Sequence, residues 1–374
     1  MSPQANRMTD DPELLDLMLE DMATRDFLFQ PARYWEHVNL RLEQTIRQNG
    51  VTALRSSAHE VFRHFGASTF QDVSRISSLH NRYTHARLVR LLRNVPILGS
   101  LLSRIDSDIG RIVENERMII SKCMKAIYDL AEEIDRDGLS RLEDSLQGAP
   151  DHYVSRNGKF YTAECLSYFV NLRRATKDID VGDSPKILEI GGGYGGLCEV
   201  ATRLWGQSTY VIVDIPHTAY CSTQYLKACF PGRVVDYRQT RMLDRISVED
   251  LTGRIVVLCP WQVDAIRSKF DLFFNFCSFQ EMTPAIVQNY AQKVKMLVPG
   301  GNAFISCKAE SHPVSNDFTQ RGVSEPISSH DIRETFRDCE LMWTRLHEAI
   351  PYYDGAYETV RFFVPELASR ASVL

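Results

Sequence analysis

Glu189 stands just ahead of a glycine run, Gly191-Gly192-Gly193-Tyr194-Gly195-Gly196, and Asp214 follows at the end of a second apolar run. A carboxylate, a glycine turn and a second acid so arranged can hold a small polar ligand. The segment Lys186 to Trp205, KILEIGGGYGGLCEVATRLW, predicts a buried strand over Ile187, Leu188 and Ile190, then a turn over Gly191 to Gly196. An amphipathic helix follows, on which Leu197, Val200, Ala201 and Leu204 recur at helical spacing. Glycine lets a ligand come close against the backbone of such a turn.

Two cofactor classes use this geometry, and Gly191, Gly193 and Gly196 also satisfy the dinucleotide pattern G-x-G-x-x-G. Glu189 separates them. Its carboxylate would repel a pyrophosphate but can hydrogen-bond, directly or through water, to a cationic amino-acid group, which favours S-adenosylmethionine (SAM). With Glu189 included, the turn reads E-x-G-x-G-x-G over Gly191, Gly193 and Gly195, which resembles motif I of Rossmann-like methyltransferases. Asp214, after the strand Tyr210 to Val213, is placed to take the two hydroxyls of a ribose in either cofactor. A third strand, Ile255 to Cys259, ends in Pro260, Trp261 and Gln262. Ligands lie outside the carboxyl ends of such strands, so Trp261 is expected to flank an adenine and Gln262 to reach its edge. A core or rim packing role for Trp261 is equally compatible.

The elements that must position these residues alternate. Asp271 to Cys277 reads as a fourth buried strand, Pro284 to Leu297 as a helix, and Asn302 to Lys308 as a fifth strand. Asp331 to Cys339 reads as a helix, with strand-like runs Leu341 to Ile350 and Glu358 to Val364 around the turn signal Asp354-Gly355. This predicts an α/β fold, a Rossmann-like class I methyltransferase sheet that is parallel but for a terminal antiparallel strand. Residues 151–374 form that cofactor-binding domain, and residues 1–150 a helical domain for lid, oligomerisation or acceptor-selection roles. Within it Met118 to Leu142 is a clear helix with Gly138 near its end, and Tyr83 to Ile105 is a basic helical stretch interrupted at Pro96 and Gly99. Gly148 to Ala175, rich in tyrosine and phenylalanine, joins the two parts, and its aromatics, Tyr161 among them, suit either a lid over the ligand or plain packing of one part on the other.

A chain of 374 residues can bury a sizeable core, and a net charge of −5 argues against a nucleic-acid surface. Nine cysteines lie singly without C-x-x-C pairs, as expected of reduced thiols in a cytoplasmic protein. No signal segment, membrane-length apolar run, internal repeat or low-complexity tract is evident.

With these residues in place, the carboxy-terminal two thirds resembles a bacterial family of sugar O-methyltransferases of natural-product and surface-glycan pathways. The resemblance rests on EIGGGYGG from Glu189, VDIPHT from Val213, YL at Tyr225, PWQ from Pro260 and NFCSFQEM from Asn275. It implies SAM as cofactor and a small-molecule acceptor, a sugar or glycosylated metabolite. A sugar hydroxyl titrates far above neutrality, so a general base or a metal must take its proton. At the carboxyl end of the fourth strand stand Ser278, expected beside the cofactor, Gln280, expected beside the acceptor, and Glu281, the first candidate for the base. His312 is the second candidate and His217 the third. Asp264, Glu281, Glu310 and Asp317 offer oxygen donors, but no spacing marks a metal site. Two other readings share the motifs: a SAM-consuming cyclase that releases methylthioadenosine, and a non-catalytic SAM-binding scaffold. A homo-oligomer formed through the helical region is also open.

Overall fold

The computed structural model describes residues 8–65, 96–308, 325–348 and 356–366. Its helices are α1 (Pro12–Met22), α2 (Arg33–Asn49), α3 (Pro96–Arg141), α4 (Ala163–Thr176), α5 (Gly196–Leu204), α6 (Pro216–Cys229), α7 (Tyr237–Thr240), α8 (Pro284–Leu297) and α9 (Ser329–Thr335). Its strands are β1 (Tyr153–Arg156), β2 (Lys159–Thr162), β3 (Lys186–Ile190), β4 (Thr209–Val213), β5 (Val234–Val235), β6 (Ile255–Leu258), β7 (Leu272–Phe276), β8 (Asn302–Lys308), β9 (Glu340–Glu348) and β10 (Ala356–Phe363).

Eight strands form one sheet in the order β5-β6-β4-β3-β7-β8-β10-β9. The pairs from β5 to β8 are parallel, whereas β10 runs antiparallel between β8 and β9. The parallel strands carry near-continuous apolar runs because both faces are covered. Leu188, Ile190, Val211 and Phe273 belong to one apolar layer, and Ile187, Tyr210, Ile212 and Phe274 to the other. The last strand of the chain is the antiparallel one, as expected, and it is inserted between β8 and β9 instead of closing the sheet edge. Chain order reverses at β3, with β4 on one side and β7 on the other, which opens a crevice at its carboxyl end.

The amino-terminal helices share an apolar cluster with the sheet layer: Leu14, Leu42, Leu54 and Ile127 lie in the same cluster as Leu197 and Tyr225. α1 packs on α6, while the turn Phe27–Phe29 packs on α8, on the opposite face of the sheet. Phe29 touches both apolar layers, so the chain between α1 and α2 passes around the end of the sheet.

Two local features differ from the sequence expectations. α3 runs from Pro96 through Gly99 without a break, and its one non-helical residue is Asp135, whose Oδ1 accepts the Gly138 N–H at 2.8 Å. Gly148 to Ala175 contains the hairpin β1–β2, turned at Asn157-Gly158 with φ of 52° and 77°, followed by α4 with Thr162 as N-cap. The bend expected at Asp354-Gly355 lies outside the described residues. Among the described residues, no helix is long and apolar enough to cross a membrane.

Arg55, from the loop after α2, is 1% exposed and joins the amino-terminal part to the glycine turn. Its guanidinium donates to both oxygens of Asp144 (2.7 and 2.8 Å), to Thr162 Oγ1 (2.5 Å) and to the Tyr225 hydroxyl (3.0 Å). It also lies over the rings of Tyr194 and Tyr225, 5.5 and 5.7 Å from their centroids. Removing one member strands a buried charge. Asp144→Leu is therefore expected to lower unfolding free energy by about 3–5 kcal/mol, and Arg55→Met combined with Asp144→Leu by much less. Urea denaturation decides, and equal losses in the single and double variants would contradict this account of the pair.

Candidate cofactor and acceptor site

The end of β3 turns sharply at Gly191, Gly193 and Gly195, with φ of 77°, 57° and 93°. A side chain at Gly191 would meet Ser278: a Cβ there would lie 2.0 Å from Ser278 Oγ. Ser278 therefore covers the start of the turn from the end of β7. The chain reaches it through Cys277, which holds φ of 64° and donates its N–H to Ser306 O at 2.8 Å. The buried Asn275 binds the two strand ends together, its Nδ2 donating to Ile190 O at 2.8 Å and its Oδ1 accepting the Phe279 N–H at 3.0 Å.

Glu189 lies beneath the turn. The Tyr210 hydroxyl donates to its Oε2 at 2.8 Å, and the same oxygen is 3.1 Å from where a Gly192 Cβ would stand. Burial pushes this carboxyl up to about 8, with the Tyr210 hydrogen bond opposing and the charge of Asp214 adding to the rise. Asp214, half-buried at the end of β4, accepts the N–H groups of Gly193 (2.9 Å) and Ile215 (2.8 Å) on its two oxygens. Desolvation raises it to about 7 against the pull of those two amides. A carboxylate has about four lone-pair sites, so Asp214 keeps capacity for two hydroxyls.

At the end of β6, Trp261 sits edge-on to Tyr237 with centroids 6.1 Å apart, and Arg25 from the turn after α1 lies 5.3 Å over its ring. Gln262 turns inward. Its Oε1 accepts the Cys259 N–H at 2.9 Å and its Nε2 donates to Thr240 Oγ1 at 3.0 Å, so the amide closes the end of β6 instead of reaching outward.

Glu281, after β7, is met by an unforeseen partner: Trp35 of α2 donates its Nε1–H to Glu281 Oε2 at 3.1 Å. Two turns further along α2, Glu43 Oε2 lies 3.4 Å from His217 Nε2, just past β4. Burial holds the His217 imidazole below its ordinary value, against the pull of Glu43. α2 thus crosses the crevice from the β7 side to the β4 side. No pattern in a single sequence pairs Trp35 with Glu281, because the two are far apart in the chain.

Two expected acceptor residues are engaged elsewhere. Tyr161 is 2% exposed, edge-on to Tyr128 and donating to Leu139 O at 3.4 Å, so it belongs to the seam between α3 and the hairpin. Gln280 is buried and donates to Ile327 O at 3.5 Å. His312, Glu310 and Asp317 lie outside the described residues. Asp264 is paired with Lys293 at 2.5 Å, and no cluster suited to a metal ion occurs among the described residues.

No family model matches the chain, and no curated protein matches it. Solved structures align with about half of it. The glycopeptide N-methyltransferase MtfA complexed with SAM has 14% identity and a TM-score of 0.38, over 53% of this chain and 94% of MtfA. N-methyltransferase NodS from Bradyrhizobium japonicum WM9, in complex with S-adenosylhomocysteine, has 14% identity and a TM-score of 0.35, over 53% of this chain and 86% of NodS. The pyocyanin biosynthetic protein PhzM has 10% identity and a TM-score of 0.36, over 53% of this chain and 56% of PhzM. With likeness of this size, the fold assignment rests on the strand order itself.

The two raised carboxyls set a pH dependence. Their folded values of about 8 and about 7 lie above the ordinary 4.5 and 3.8, so between these limits the folded chain holds protons that the unfolded chain has released. Stability of the ligand-free protein is expected to fall as pH rises through that window, by up to about 1.4 kcal/mol per pH unit for each group. Urea midpoints measured across the window test this. A flat profile, or a Glu189→Gln profile identical to the parent's, would sink it.

Proposed function

We propose that the chain is a SAM-dependent methyltransferase acting on a hydroxyl of a sugar or glycosylated metabolite, in a natural-product or surface-glycan pathway. The observation that carries the reading is the set of groups at three adjacent strand ends. A glycine turn with Glu189 beneath it ends β3, Asp214 with spare acceptor capacity ends β4, and Ser278 and Glu281 follow β7. The residues fit the cofactor. Asp214 suits the ribose, Trp261 gives an aromatic edge for adenine, and the open glycine turn suits the aminobutyrate chain, with Glu189 below it to balance a cation.

When bound, SAM supplies an electrophilic methyl carbon on a sulfonium. What the protein must add is alignment of the acceptor oxygen with the C–S axis and a place for its proton. Glu281 takes that proton on a carboxylate oxygen, while the Trp35 hydrogen bond holds the carboxylate in position. The indole of Trp35 beside a carboxylate suits a ring with one apolar face and several hydroxyls. In this reading residues 1–150 select the acceptor and roof the crevice, and residues 151–374 hold the cofactor. His312 is the alternative base.

Mass spectrometry of SAM incubated with the protein, alone and with an extract containing nucleotide sugars, tests the proposal. Acceptor-dependent S-adenosylhomocysteine together with a methylated sugar is the expected result. Methylthioadenosine formed from SAM alone would overturn it in favour of a cyclase. Glu281→Gln is expected to lower turnover by roughly 10²–10⁴-fold while leaving S-adenosylhomocysteine affinity near that of the parent. An unchanged turnover would remove Glu281 from the base role.

A further inference from the structure

Trp35, Asn39 and Glu43 stand four residues apart on α2 and therefore share one stripe of the helix. The outer two are anchored at known places, Trp35 on Glu281 after β7 and Glu43 on His217 after β4. The helix rises about 12 Å over that interval, close to the roughly 10 Å that two strand spacings cover. β3 is the strand between β7 and β4, so the middle of the stripe, at Asn39, falls between the two anchors, on the span that includes the end of β3.

Asn39 is 4% exposed, and among the described residues neither its Oδ1 nor its Nδ2 has a hydrogen-bond partner. The Nδ1 of His217, one strand end away, is likewise unpartnered. A buried amide with both its donor and its acceptor unused is costly and rare in native proteins, so it calls for a partner or a role.

We infer that Asn39 binds the aminobutyrate group of the cofactor, and this rests on the SAM reading above. Across the strand ends the recognition groups run in the order Trp261 on β6, Asp214 on β4, the glycine turn on β3 and Glu281 after β7. An adenosine laid along Trp261 and Asp214 brings its 5′ substituent to the glycine turn, on the span where Asn39 falls. An amide is matched to that substituent: its Oδ1 accepts from an ammonium and its Nδ2 donates to a carboxylate. An apolar or purely cationic group would use at most one of the two.

Calorimetric titration with S-adenosylhomocysteine and with methylthioadenosine, which lacks the aminobutyrate, tests the inference on the full-length protein and on Asn39→Leu. The variant is expected to lose tenfold or more in S-adenosylhomocysteine affinity and less than twofold in methylthioadenosine affinity. Its ligand-free melting temperature should be equal to or above the parent's, because an unsatisfied amide is gone. Asn39→Ala, which adds no bulk, carries the same expectation. Equal losses for both ligands, no loss for either, or a lowered melting temperature in both variants would overturn the role of Asn39 while leaving the SAM reading in place. Failure of the parent protein to bind S-adenosylhomocysteine would overturn both.

Discussion

The structure depends on the desolvation of one charge. Arg55 is almost sealed from water, so the protein itself must satisfy its guanidinium, and both terminal nitrogens are met by groups drawn from separate stretches of chain. Asp144 follows α3, Thr162 begins α4, Tyr225 lies on α6, and Tyr194 belongs to the glycine turn. Tyr225 in turn donates to the buried Glu199 of α5, which also accepts the Ser145 N–H at 3.1 Å. Each contact is possible only when all these segments are in register. The amino-terminal part, the hairpin and the glycine turn therefore share one electrostatic joint, which reaches the turn through Tyr194.

The joint is not the only tie between the amino-terminal helices and the strand ends. Acidic side chains of α1, its N-cap and α2 pair with α6 and the α7 segment: Asp11 with Arg238 at 2.5 Å, Asp21 with Arg241 at 2.9 Å, and Glu43 with His217. These partly exposed contacts each contribute little to stability. They fix α1 against α7, and Glu43 fixes the later part of α2 against α6.

The sheet was legible in the sequence because parallel strands buried on both faces leave uninterrupted apolar runs, and the glycine turn because three of its positions, Gly191, Gly193 and Gly195, hold positive φ, which favours glycine. Ile255 to Cys259 and Asp271 to Cys277 were placed to within a residue or so of β6 and β7 on that signal alone. The hairpin β1–β2 is equally marked by Asn157-Gly158, although the aromatics around it suit a lid as well as a hairpin. Asn39 and Trp35 were not legible at all. On a helix whose polar residues outnumber its apolar ones, a buried asparagine looks like any solvated position until the partners of its neighbours are known. The inward turn of Gln262 is a similar case, since a glutamine at a strand end reads the same whether it caps the chain or faces a ligand.

Cys277 shows where this fold keeps its conformational tension. A residue with a Cβ held in the left-handed region costs about 1–3 kcal/mol, and that cost is met by the ladder bond to Ser306 and by the bonds of Asn275 on either side. The bend it forces is what swings Ser278 back over Gly191. Glycine at position 277 would relax the backbone and release the side chain that covers the turn, so greater stability and a well-aimed crevice draw on the same torsion angle in opposite directions.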